Sequence, residues 1–176
     1  MIDGKRKEVF TLVEESDKVV ARAAVETAAA LEAGALMGLQ VAVLHGRLSD
    51  AEAVHLADTP RRVAEAYAEL LTPRPFTMTT FPNDEGYDEL VLARDIPFHS
   101  LCQHHLLPFS GIAHVGYLPS ERIIGLSKLA RVVDHFARAL QVQERLTTQV
   151  ADSLMEILEA RGVIVVIEAE HLCMTM

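Results

Sequence analysis

The sequence predicts an α+β chain: an N-terminal helical region over residues 1–74, then a β-β-α-α-β domain over residues 75–176. Three observations carry this. Two β-prone segments, Leu90–Phe98 and Ile112–Leu118, flank a short Cys/His stretch. Two amphipathic segments, Leu126–Leu140 and Glu144–Ala160, then follow back to back with apolar residues at helical spacing. A run of almost wholly apolar, β-branched residues, Val163–Ala169, closes the pattern and reads as a buried strand.

In chain order, residues 16–45 read as helical, with Ser16 and Asp17 as candidate N-caps and Gly34 and Gly38 as candidate breaks. Asp50–Leu56 reads as a short further helix. Thr59 is a candidate N-cap with Pro60 behind it, and Val63, Ala66, Tyr67 and Leu70 make an apolar face. Pro73 and Pro75 end that helix, because proline disfavours helical geometry in the residue before it. Residues Arg74–Asp88, rich in Pro, Thr, Asn, Asp and Gly, read as a loop. In the later helices, Leu129, Val132, Val133 and Phe136 are core positions of the first, and Leu146, Val150, Leu154, Ile157 and Leu158 of the second. Arg161-Gly162 is the expected C-cap.

Half of the residues are hydrophobic (50%) and only 5% aromatic, with no Trp, so the core must be largely aliphatic. The formal charge of −9 argues against a nucleic-acid or anionic-membrane partner, and any phosphate-bearing ligand would need locally clustered cations. The first residues carry no apolar core like that of a signal peptide, and the longest apolar stretch, 33–44, is too short to span a bilayer; a cytoplasmic location is expected.

The chain has two cysteines, Cys102 and Cys173. Spacing alone leaves a disulfide between them open, but thiols with histidines beside both fit a metal site better. Cys102-Gln103-His104-His105 can present a thiolate and an imidazole to one ion. At the end of the last predicted strand, His171 and Cys173 are two apart, and such residues point to the same face. Each residue taken singly is more commonly an ordinary core or surface group. A zinc held by Cys102, His105 and Cys173 would keep a fourth position for water, as catalytic sites do. His104 and His171 would lie nearby as proton carriers. Lys128 and Arg131 share a face at a helix start, where backbone N–H groups favour anions. Glu144 could accept the paired N–H donors of a guanine edge.

Four segments together resemble the GTP cyclohydrolase I family: Cys102-Gln103-His104-His105-Leu106-Leu107-Pro108-Phe109, Ile124-Gly125-Leu126-Ser127-Lys128-Leu129-Ala130-Arg131, Gln141-Val142-Gln143-Glu144-Arg145-Leu146-Thr147 and Glu168-Ala169-Glu170-His171-Leu172-Cys173-Met174. The resemblance implies a T-fold, an antiparallel sheet with two helices on one face, behind an N-terminal helical region. It also implies a homodecamer with sites between subunits, and zinc-dependent opening of the imidazole ring of GTP with loss of formate. By position it implies Cys102, His105 and Cys173 as zinc ligands, and His104, His171 and Ser127 as catalytic groups. It implies Glu144 as the guanine-binding carboxylate with Gln143 beside it, and Lys128, Arg131 and Arg62 as contacts to the phosphates. The sequence departs from the family pattern at Gln103, where Glu is usual, and at Ala139, where Arg is common. Residues 34–56 are longer and more apolar than usual. The resemblance also implies a continuation past Met176, with an Arg-Gly pair and a final strand.

Overall fold

The computed structural model describes residues 8–11 (backbone only), 26, 29–38 and 47–176. The chain divides into two compact units, one over 15–72 and the other joining the first residues to 73–176.

In the first unit, residues 29–38 are helical straight through Gly34, so this glycine does not break the helix. The expected caps at Ser16 and Asp17 lie outside the described residues. Helix α1 (Asp50–His55) opens with a reciprocal cap: the Ser49 hydroxyl accepts from Glu52 N, and the Glu52 carboxylate accepts from Ser49 N at 2.8 Å. Helix α2 (Thr59–Leu70) starts one residue earlier than expected, with Asp58 at the cap and Thr59 already helical.

Among the described residues the second unit holds seven strands. Sheet one runs β1 (Glu8–Thr11), β2 (Thr77–Pro82), β5 (Arg122–Ile124). Sheet two runs β6 (Leu140–Gln141), β3 (Val91–Cys102), β4 (Pro108–Leu118), β7 (Gly162–His171). β2 lies inside the stretch expected to be a loop. Its alternation puts Met78 and Thr80 inside, a pattern that the Thr and Pro content masked. Both strands around the Cys/His stretch are longer than expected and pair antiparallel, from Val91↔Tyr117 to Leu101↔Pro108. A bulge between Ala93 and Ile96, with Asp95 at φ 57, shifts the register once. β6 joins β3 in parallel, so the sheet is mixed rather than purely antiparallel.

Helices α3 (Leu126–Ala137) and α4 (Gln143–Leu158) pack on this sheet and on each other, as the T-fold expectation requires. Leu129, Val132 and Val133 on α3 and Leu146, Val150, Leu154 and Leu158 on α4 have no exposed surface. The 3- and 4-residue spacings stack these side chains on one stripe per helix, which explains why periodicity located both helices. Truncating any of the leucines to alanine would cost about 2–5 kcal/mol. α4 ends on Glu159 in the left-handed region (φ 48), not on Gly162, which instead begins β7.

β7 corrects a second expectation. Among the described residues it is the edge strand of its sheet and is half-exposed: Ile167 faces the helices, while Ile164 (52%) and Val166 (45%) face outward. A continuous apolar run reports that both faces are greasy, not that the chain itself covers both.

Candidate metal centre

Cys102 ends β3 and Pro108 begins β4, so the Cys/His stretch is the connection of a hairpin. Two bonds close it: Cys102 N donates to Leu107 O at 2.9 Å, and Leu106 N to Cys102 O at 2.9 Å. The tight reversal needs a left-handed residue and takes Leu106 (φ 55), a conformation that costs a side-chain-bearing residue about 1–3 kcal/mol. A third bond, Gln103 N to Gln141 O at 2.9 Å, ties the hairpin to β6. Gln141 is itself buried, donating to Phe136 O and to Gln149 Oε1 and accepting from Arg145 Nε, while Arg145 also donates to Leu140 O. The hairpin therefore rests on the junction between α3 and α4.

The strand-alternation argument for the other half is corrected. β7 stops at His171, and Cys173 lies in a single helical turn, α5 (Leu172–Thr175). That turn carries Cys173 to the hairpin. The Cys102, His105 and Cys173 ligand atoms all lie within 4.8 Å of one another, with Cys102 Sγ 3.7 Å from His105 Nδ1. Both thiols are free. A tetrahedral zinc with Zn–S about 2.3 Å and Zn–N about 2.0 Å separates a sulfur from a nitrogen by about 3.5 Å and two sulfurs by about 3.8 Å. The donor set and its spacing fit that ion.

The thiols differ. The His105 ring nitrogen lowers the Cys102 thiol to about 6, so Cys102 is mostly thiolate at neutral pH. Partial burial and then the neighbouring Cys102 raise Cys173 above the usual thiol range. One ligand is thus ready for a cation and the other gives up its proton on binding.

His104 lies one step out, its Nδ1 3.9 Å from Cys102 Sγ and its Nε2 3.3 Å from Gln103 Nε2. His171 lies flat on the Phe109 ring, centroids 4.5 Å apart, and its Nε2 is 2.9 Å from Gln143 Oε1. Sequence reasoning quoted Phe109 in a motif but gave it no role; only strand register, Phe109↔His171, reveals the stack. Glu144 is exposed in the first turn of α4, beside Gln143. Ser127, Lys128 and Arg131 are on the first turns of α3, whose start is held to β2 by Gly125 N donating to Thr79 O. They belong to α3 rather than to the hairpin and the β7 end that form the cluster. Arg62 is in the 15–72 unit, 3.8 Å from Asp58.

The family model described as GTP cyclohydrolase I matches residues 41–176. Curated proteins named GTP cyclohydrolase 1 are similar: that of Streptomyces coelicolor is 61% identical over 128 residues, covering 69% of this chain and 63% of its own. The Thermobifida fusca protein is 60% identical over 126 residues, covering 69% and 61%, and that of Brucella anthropi 54% over 132 residues, covering 72% and 62%. The chain thus spans somewhat under two thirds of the length of these relatives. With most of its residues inside the matched region, the cysteine–histidine cluster included, the chain belongs to the GTP cyclohydrolase I family.

Proposed function

We propose that the protein is a zinc-dependent GTP cyclohydrolase I, taking GTP and water to 7,8-dihydroneopterin triphosphate and formate, and that it works as a cytoplasmic homo-oligomer, a decamer by family resemblance. The observation that carries this is the convergence of Cys102 and His105 from a hairpin with Cys173 from a separate turn, with His104 adjoining and His171 two residues before Cys173 in the chain. Held by two thiolates and one imidazole, zinc would supply Lewis acidity toward water.

The chain's own groups divide the remaining work. His104 and His171 move protons to and from the purine ring nitrogens as the imidazole ring opens. Glu144 accepts the ring N–H and the exocyclic amine of guanine side by side. Lys128 and Arg131 on α3 hold the triphosphate, Arg62 is a further phosphate contact by family resemblance, and Ser127 assists when the ribose opens and rearranges. No described helix is long and apolar enough to cross a membrane.

The test is turnover: zinc-loaded full-length protein is given GTP and the fluorescence of the oxidised pterin product is followed together with formate. Zinc bound stoichiometrically with neither product formed would sink the proposal.

A further inference from the structure

His171 ends β7, and its ring is held on two sides. Phe109, its partner on β4, lies against one face with ring planes 3° from parallel. Phe109 is itself buried and meets Phe98 edge-on at 5.9 Å, so the stack has a fixed backing. Gln143, the first residue of α4, closes the ring's edge: Oε1 is 2.9 Å from His171 Nε2, and Nε2 donates to Ile167 O at 2.9 Å.

The second bond sets the direction of the first. A backbone carbonyl only accepts, so the amide end facing Ile167 is the NH2 and the end facing His171 is the oxygen. An amide oxygen in turn requires a donor, so His171 Nε2 carries hydrogen. The neutral ring then has one bare nitrogen, Nδ1. Both ends of the Gln143 amide are engaged within the fold, and contacting a purine would mean giving up Ile167 O or His171.

We infer that Gln143 acts through His171 as a positioning residue: with Phe109 it fixes the plane and rotation of the ring, holding Nε2 against Gln143 Oε1 and turning Nδ1 away from it. The inference rests on the hydrolase assignment above for its reaction, but not for its geometry.

The experiment uses the zinc-loaded full chain labelled with 15N-histidine, the His171 resonances being assigned by comparison with His171→Asn. Solid-state NMR is expected to place hydrogen on Nε2 of wild-type His171. Gln143→Met, similar in length but without polar ends, should let a minor Nδ1–H fraction appear, as in a free neutral imidazole. Gln143→Glu, which keeps an acceptor toward His171, should restore Nε2–H. In GTP turnover Gln143→Met should lower kcat about 10–100-fold, the scale of one misplaced proton carrier. Its KM should stay within about twofold. Hydrogen on Nδ1 in the wild type overturns the inference, and that measurement needs no variant to fold. A raised KM with unchanged kcat also overturns it, making Gln143 a direct substrate contact. Absence of wild-type turnover would instead count against the hydrolase assignment, with the NMR result still deciding what Gln143 does to the ring.

Discussion

Two glycines of β4 give a matched pair of perturbations. A Cβ on Gly111 would lie 1.9 Å from Glu168 O and 2.8 Å from Ala169 Cα, both backbone atoms of β7. A carbon–oxygen contact needs about 3.3 Å, so roughly 1.4 Å must come from separating the strands. A Cβ on Gly116 would meet only side-chain ends: Ile164 Cγ2 at 3.0 Å and the Leu90 and Leu92 Cδ1 atoms at 3.2 Å. Those three side chains are exposed and can turn aside. Separating β4 from β7 at Gly111 forfeits about two ladder bonds and strands their polar groups, about 3–5 kcal/mol in all. Removing a glycine returns about 0.4–1 kcal/mol through the unfolded chain in both variants. Gly116→Ala should therefore melt within a few degrees of wild type, and Gly111→Ala roughly 10 °C lower. Gly111 pairs with Ala169, two positions from Phe109↔His171, where the ladder ends. If the strain is relieved by opening that end, the His171 stack and the Cys173 turn leave first, and zinc is lost before the fold. The assay is thermal unfolding by circular dichroism at matched subunit concentration, with zinc content measured alongside. Equal melting of the two variants, with Gly111→Ala keeping full zinc, would refute the argument.

Other outcomes follow from the site. Cys173→Ala leaves two ligands where three converge and should weaken zinc by about 100-fold or more while the core still folds, taking roughly 3 kcal/mol per ligand of a structural site; undiminished zinc on metal analysis would contradict the ligand set. Glu144→Gln cannot accept both guanine donors and should raise the KM for GTP by about 10–100-fold without touching zinc content, a loss of about 1–3 kcal/mol. The pH dependence of zinc binding has a definite sign, because a proton competes wherever a thiol is still protonated. Cys102, lowered to about 6, has little to lose at pH 7, whereas Cys173, raised, must release a whole proton. The thiol contribution is thus about tenfold in affinity per pH unit between pH 7 and 8, and approaches a hundredfold per unit below 6. Chelator competition in wild type against Cys173→Ser isolates the Cys173 proton; identical slopes would remove it.

Much of this protein was determined by residue order alone. The aliphatic stripes on α3 and α4 announce helices because a helix repeats every 3.6 residues and must bury one side. The hairpin thiol and imidazoles lie within four residues of each other, so their chemistry is local and legible. Local rules failed where distant chain decides. Residues 77–82 look like a loop until β1 and β5 pair with them. Gly34 is carried through a helix despite its poor propensity. Cys173 was expected on a strand, yet a turn delivers it. The approach of that thiol to Cys102, the stacking of Phe109 on His171 and the engagement of both ends of Gln143 depend on strand register and helix packing between segments tens of residues apart. No short-range pattern encodes such distances; they exist only once the sheet has closed on its helices and the backbone has fixed where each side chain begins.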